Sequence, residues 1–181
     1  MHMQTPEDLD SFLKSFSEQL KKDGNYRAEE GECPEFAIAL ARFLGVSKPV
    51  FNVGIRTMTP YEWDADALEY IEDSYMQETC LSHVVLEVDG NEYDWTGTDA
   101  TARWESAFED SDTEKHTFEW YPADYSKLAH YINLQRRVAF ESDCSTLNVA
   151  NIEYWQSQLE SHAKALHFDN HLDIEDLGFN H

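Results

Sequence analysis

The sequence predicts an α+β fold, in a single domain that spans residues 1–181. Several segments carry apolar residues at helical spacing, and they outnumber the segments that are typical of strands. The clearest strand signal is Asp89-Gly90, a two-residue pair between two alternating runs, which indicates a β-hairpin. No internal repeat, low-complexity tract or long linker divides the chain, which is long enough to bury a substantial core.

Two helices are predicted in the first quarter of the chain. The first begins at Thr5-Pro6-Glu7-Asp8, where a capping residue precedes acids in the first turn, and ends at Lys21-Lys22-Asp23-Gly24. The second runs from about Cys33 to Leu44, with Pro34 at its first position and Gly45 after its end. Its alanines are small enough to let the second helix pack close to a sheet.

The middle of the chain is predicted to alternate strands and helices. Its elements are a strand over 50–56, a helix from Thr59-Pro60 to about Tyr75, the hairpin, a short helix opened by Thr98 or Asp99, and a strand over 115–121. The helix prediction for the segment after Pro60 depends on apolar residues at helical spacing, which are Trp63, Ala67, Tyr70 and Ile71.

The last third is predicted to be a helical extension over about 122–168. It contains one helix from Pro122 to about Phe140 and another from Val149 to about Phe168. The remaining residues, 169–181, form an acidic tail with no clear periodicity.

The formal net charge of −23 is extreme for a chain of 181 residues. Acidic runs recur at 62–66, 109–114 and 173–176. A surface this acidic repels nucleic acids and anionic membranes, so direct binding to either is not expected. The charge has three explanations that the sequence leaves open: solubility, a salt-rich source, or attraction to a basic protein, in the last case as a mimic of a nucleic-acid backbone.

The cysteine content and the N-terminus predict a cytoplasmic protein. Three cysteines cannot all pair with one another. The N-terminus is polar and becomes acidic by Glu7, unlike a signal peptide, and no apolar run approaches the roughly 18–20 residues of a membrane span. These features favour a reducing compartment in which thiols persist.

Three residues have the types and the order of a catalytic triad. Cys33 lies at a predicted helix start, where backbone N–H groups and the helix dipole favour thiolate over thiol. His83 begins one strand-like run and Asp94 closes the next. Thiol, imidazole and carboxylate are the components of a nucleophile, a base and the group that orients the base.

The register of the predicted hairpin places His83 and Asp94 side by side. If Asp89-Gly90 is the turn, Val88 opposes Asn91 and Val85 opposes Asp94. His83 then lies two residues further along on the same face, diagonal to Asp94 at roughly 7–8 Å between backbones. A three-residue loop would instead put the two side chains on opposite faces.

The segments around these residues resemble papain-like-fold cysteine hydrolases, in the broad sense that includes transglutaminase-like members. The matching segments are Gly31-x-Cys33-x-x-Phe36-Ala37-x-Ala39-Leu40, His83-Val84-Val85-Leu86-Glu87-Val88-Asp89-Gly90 and Tyr93-Asp94-Trp95-x-Gly97. They define a catalytic-like core over 31–97. The resemblance implies a central helix that bears the nucleophile Cys33, packed on an antiparallel sheet that supplies His83 as general base and Asp94 as the orienting acid.

The resemblance also implies a side-chain donor, often Gln, a few residues before the nucleophile, which helps to hold the oxyanion. Residues 27–32 contain no amide side chain, and Asn25 is the nearest candidate. A missing second donor would cost about 10²–10³ in rate.

Other cysteines and histidines offer weaker alternatives. Cys80 is a rival nucleophile without a helix start, and Cys144 lies in a predicted loop. The C-terminal region is rich in possible metal ligands, namely His162, His167, Asp169, His171, Asp173 and His181. None of their spacings matches a strong zinc pattern, so no metal and no cofactor are expected.

Two functions follow from the sequence. The first is a cysteine-dependent hydrolase or acyltransferase that acts on an amide, peptide or thioester bond in a protein or a small compound, with cationic substrates favoured by the acidic surface. The second is a non-catalytic acidic protein, such as a phage-encoded nucleic-acid mimic or inhibitor, that occupies a basic protein surface.

Overall fold

An antiparallel sheet with helices packed on it positions the candidate site. The computed structural model describes residues 5–64, 66, 69–108, 114–139 and 147–166. The helices are α1 (Pro6–Lys22), α2 (Cys33–Phe43), α3 (Ala100–Ser106), α4 (Tyr125–Ala139) and α5 (Val149–Ala165). The strands are β1 (Val50–Asp64), β2 (Glu69–Glu72), β3 (Glu78–Val88), β4 (Asn91–Tyr93) and β5 (Glu114–Ala123). The predicted α+β class is confirmed for the described residues.

Strand β1 is the centre of the sheet. It pairs with β3 on one side and with β5 on the other, and β4 extends the sheet beyond β3. All of these pairs are antiparallel. Beyond Pro60, the last residue of β1 that pairs with β5, Tyr61–Asp64 pair with β2. A short 3₁₀ turn, Ser74–Met76, connects β2 to β3.

The core lies between the sheet and α1, α2 and α5, with α4 completing it. Rings from three helices pack together at its centre, where Phe16 of α1 contacts Phe36 of α2 and Trp155 of α5. Phe36 and Trp155 also contact each other edge-to-face at 5.5 Å. Helix α2 is buried along almost its whole length, including its alanines, as expected for a helix packed close to a sheet.

Most predicted elements are confirmed, and one is wrong. The helix predicted from Thr59-Pro60 to about Tyr75 is instead the second half of β1, strand β2 and the 3₁₀ turn. Pro60 pairs with Glu114 in the ladder to β5, and its carbonyl accepts the N–H of Asp73 at 2.8 Å. Pairing with distant strands therefore outweighs the helical spacing of the apolar residues. The described part of the chain contains five α-helices, one π-helical turn, one 3₁₀ turn and five strands.

Candidate active site

The β3–β4 hairpin has the predicted register. Val88 opposes Asn91 and Leu86 opposes Tyr93. The two turn residues both have positive φ, 52° at Asp89 and 75° at Gly90, which is the signature of a type I′ turn. Asp94 follows directly after β4.

His83 and Asp94 form a buried hydrogen-bonded pair. The distance from His83 Nε2 to Asp94 Oδ2 is 3.1 Å, and the two side chains are 0% and 4% exposed. The predicted side-by-side placement is therefore confirmed. The second carboxylate oxygen, Oδ1, accepts hydrogen bonds from the Thr96 N–H at 2.7 Å, the Thr96 hydroxyl at 2.6 Å and Arg103 Nη2 at 3.1 Å.

This environment keeps Asp94 ionised. Burial raises the pKa of the Asp94 carboxyl, but the hydrogen bonds from His83 and Thr96 and the charge of Arg103 together lower it below its usual 3.8. An ionised carboxylate holds the N–H of the imidazole on Nε2, so the lone pair is left on Nδ1.

Aromatic rings enclose the imidazole of His83. Trp104 of α3 stacks on it at 4.2 Å between ring centres, with an interplanar angle of 11°. Trp95 contacts it edge-on at 5.1 Å. The remaining nitrogen, Nδ1, is buried and has no hydrogen-bond partner among the described residues. A buried polar atom without a partner is costly, so it commonly marks a place where a substrate, a water or a catalytic group binds.

Cys33 lies at the first residue of α2, as predicted. A π-helical turn, Ala28–Glu32, leads directly into α2, and within it Gly31 has a φ of 108°, a conformation that suits glycine. Pro34 follows in the first turn of the helix. The side chain of Cys33 is 5% exposed.

Trp95 connects the Cys33 turn to His83. Its indole contacts Phe36, one helical turn after Cys33, at 6.2 Å, and it also contacts His83. The β1 and β3 residues that join the core with α2 are Phe51, Val53, Val84 and Leu86. Because strand side chains alternate, His83 projects from the face of β3 that is opposite to α2. Trp95, at the end of the hairpin, contacts residues on both sides. Among the described residues Nδ1 has no hydrogen-bond partner, so the Cys33 thiol does not bond to it in this arrangement.

Asn25, the oxyanion candidate, lies between α1 and α2. Its Nδ2 donates to the Tyr154 hydroxyl at 2.8 Å, and its Oδ1 accepts the N–H of Arg27 at 3.3 Å. Asn25 also lines a small cleft together with Trp95 and Ala28, with room for about one water molecule. The cleft therefore joins the turn before α2 to the ring that contacts His83.

The turn before Cys33 is supported by α5. Glu32 accepts from Arg27 Nη2 at 2.9 Å and from Trp155 Nε1 at 3.0 Å. The guanidinium of Arg27 lies over the Tyr154 ring at 4.2 Å from its centre. The charge of the acid next to Cys33 is thus balanced by a cation held between two rings.

The rival groups have other surroundings. Cys80 has Arg56 as its polar neighbour, with Nη2 at 4.0 Å from Sγ, and neither ring nitrogen of His83 bonds to it. His162 packs against Phe12 and Phe16. Cys144, His167, Asp169, His171, Asp173 and His181 lie outside the described residues. Within the described ranges, no cluster of His, Cys, Asp and Glu side chains is placed to hold a metal ion.

Sequence reasoning did not identify the partners of the pair. Thr96, Arg103 and Trp104 all contact His83 or Asp94. Thr96 had a local signal, since a residue two positions after an Asp commonly donates to its carboxylate. Arg103 and Trp104 had none, because α3 has to fold back over β3 before they reach the pair.

Comparison with protein-family models, with curated proteins and with solved structures found no match to this chain. The site is therefore interpreted from its own geometry. In the ranges that the structure describes, no helix is both long enough and apolar enough to cross a bilayer.

Proposed function

We propose that this protein is a cysteine-dependent hydrolase or acyltransferase with a papain-like arrangement, in which Cys33 is the nucleophile, His83 the general base and Asp94 the orienting acid. The observation that carries the proposal is the buried hydrogen bond between His83 and Asp94, together with the absence of a partner for His83 Nδ1 among the described residues. Structural His–Asp pairs usually satisfy both ring nitrogens, whereas a general base keeps one for the reacting proton.

The proposed reaction uses the tautomer that Asp94 selects. The Cys33 thiol gives its proton to His83 Nδ1, and its sulfur forms a bond to the carbonyl carbon of an amide or thioester. The bond to the leaving amine or thiol then breaks, and the leaving group takes the proton from His83. Water, or an acceptor amine or thiol, attacks the acyl-enzyme with the same base and releases Cys33.

The proposal requires a rearrangement that brings Cys33 Sγ and His83 Nδ1 together and admits a substrate. Trp104 is the ring that covers the imidazole, and it is borne by α3, a helix of only seven residues. Trp104 Nε1 donates to the Ser82 hydroxyl at 2.8 Å, which is the polar contact that holds the ring in place. Movement of α3 would uncover His83, and it would also release the bond from Arg103 of the same helix to Asp94. Cys33 would in addition have to approach His83 around the end of the hairpin, where Trp95 contacts both elements.

The first experiment is alkylation of each cysteine against pH, followed by mass spectrometry. We expect Cys33 to react below neutral pH, where an ordinary thiol is protonated, and to react faster in Trp104→Ala, which uncovers His83. His83→Ala should shift the Cys33 reaction to higher pH. Circular dichroism on each variant establishes that it is folded.

Cys80 is the internal control, because it lacks the helix start and does not bond to His83. Its alkylation profile should be the same in all three proteins. If the alkylation profile of Cys33 in folded His83→Ala matched that of the wild type, the thiol and the imidazole would not act together. The proposed catalytic function would then be wrong.

A second function is supported by the distribution of charge. Ion pairs with carboxylates engage four basic side chains of the described residues, through Lys14–Asp10, Arg27–Glu32, Arg103–Asp94 and Lys115–Glu72. With a net charge of −23, most carboxylates thus have no cation to balance them. We propose, as the alternative, an acidic protein that occupies a basic protein surface. Both functions suit a reducing cytoplasm.

This alternative predicts salt-sensitive binding to a cationic polypeptide. Fluorescence anisotropy with a labelled arginine-rich peptide should show binding at low salt that weakens steeply toward physiological salt, where the screening length falls to about 8 Å. A glutamate-rich peptide of equal length is the control. Binding that does not change with salt, or no binding at low salt, would contradict the alternative.

A further inference from the structure

The end of β1 and the segment that pairs with it project beyond the core as a β-ribbon. This arm consists of Tyr61–Asp64 and Glu69–Met76. Its ladder pairs Tyr61 with Glu72 and Trp63 with Tyr70. All four residues of β2 are exposed, so the ribbon does not pack on the core described above.

The two faces of the arm have different chemistry. Because paired residues share a face, Tyr61, Trp63, Tyr70 and Glu72 lie on one face, and the Trp63 and Tyr70 rings contact each other at 5.2 Å. Glu72 on this face forms an ion pair with Lys115 at 2.6 Å. The opposite face carries carboxylates and one apolar residue, which are Glu62, Asp64, Glu69 and Ile71. The arm thus has an aromatic face and an opposite face that is mostly acidic.

The aromatic face is exposed to solvent. Trp63 is 50% exposed and Tyr70 is 61% exposed, and at the base of the arm Tyr75 is 98% exposed. A single exposed apolar residue is ordinary, but two large exposed rings in contact on one face of a ribbon are typical of an interaction surface. Trp and Tyr are also the residues most often found at the energetic centre of interfaces.

We propose that the aromatic face of the arm is a docking surface for a basic segment of a partner protein, with arginine or lysine side chains lying over Trp63 and Tyr70. The rings attract cations through their π faces, and the negative field of the acids on the same ribbon adds to the attraction. That the partner is basic rests on the second function proposed above, in which this acidic protein occupies a basic protein surface. The position of the surface rests on the ribbon and does not require catalysis at Cys33.

Charge also argues against a second copy of this chain as the occupant. Two molecules that each carry −23 repel one another, and a symmetric contact through the arm would bring the acids of two ribbons near each other. A basic polypeptide meets the same acids with attraction. The aromatic rings then provide the contacts that salt does not screen.

The test compares arm variants for binding to the labelled arginine-rich peptide. The double variant Trp63→Ser/Tyr70→Ser removes the aromatic face and should weaken binding about tenfold. Trp63→Leu keeps an apolar side chain but loses the π face, and should weaken binding severalfold. Ile71→Ser is the matched control, since it removes an exposed apolar residue from the opposite face of the same strand, and binding should stay within about twofold of wild type.

Each outcome is decisive. A loss in the double variant with none in Ile71→Ser supports the arm as the docking surface. If wild type and double variant bind the peptide equally, the arm proposal is overturned while the second function stands. If the wild type does not bind the peptide at low salt, both are overturned. If light scattering shows a dimer that Trp63→Ser/Tyr70→Ser converts to a monomer, the occupant is a second copy and the proposal is wrong.

Discussion

Replacement of Asp94 by alanine is expected to lower the free energy of unfolding by about 3–5 kcal/mol. Asp94 is buried and accepts hydrogen bonds from His83, Thr96 and Arg103. Without the carboxylate, His83 would have a second buried ring nitrogen with no partner, because Nδ1 already has none among the described residues. Urea denaturation followed by tryptophan fluorescence measures the change.

Glu78→Ala is the matched control for this prediction. Glu78 also lies on the sheet and is also a carboxylate, but it is exposed. Its replacement should change the free energy of unfolding by no more than about 0.5 kcal/mol. If the free energy of unfolding fell equally in Asp94→Ala and Glu78→Ala, the buried pair would contribute no more to stability than an exposed carboxylate does.

Lowering the pH should remove the contribution of ionised Asp94 to the free energy of unfolding of the wild type. The folded-state pKa of Asp94 lies below the usual 3.8, so its contribution is fully present above that value and is lost as the pH falls through the folded-state pKa. Asp94→Asn lacks this group, so its unfolding free energy should fall less steeply than that of wild type below about pH 4. Parallel acid profiles would contradict the contribution of an ionised Asp94.

The hairpin at the site could be predicted because its determinants are local. Asp89-Gly90 selects a type I′ turn, the turn fixes the register, and the register places His83 beside Asp94. Cys33 could likewise be placed at a helix start from Gly31 and Pro34 alone. Both inferences need only the neighbours of each residue in the chain.

The features that could not be predicted from the sequence depend on contacts between distant segments. The sequence of the arm predicts a helix because Trp63, Tyr70 and Ile71 fall at helical spacing. Only pairing with other strands makes β1 continue past Pro60. The ring that covers His83 belongs to α3, and nothing in the residues around Trp104 indicates where that helix packs. Spacing also could not show that Trp95 would lie between Phe36 and His83.

Trp155 is the residue through which the C-terminal helix supports the candidate site, and Trp155→Ala is expected to lower the free energy of unfolding by about 3–5 kcal/mol. Its fully buried indole contacts Phe16 and Phe36, and its Nε1 donates to Glu32, next to Cys33. Trp63→Ala is the matched control, since it removes the same side chain from the half-exposed arm and should cost about 1 kcal/mol or less.

Trp155→Phe separates the packing role of this ring from its hydrogen bond. Phenylalanine fills most of the cavity but cannot donate to Glu32, so the expected loss is about 1–2 kcal/mol. Glu32 then retains only Arg27. If α5 positions the turn before the nucleophile, the alkylation rate of Cys33 in folded Trp155→Phe changes while that of Cys80 does not. An unchanged Cys33 rate would mean that α5 stabilises the fold without acting on the site, since the Glu32 contact would then have no effect on the thiol one residue away.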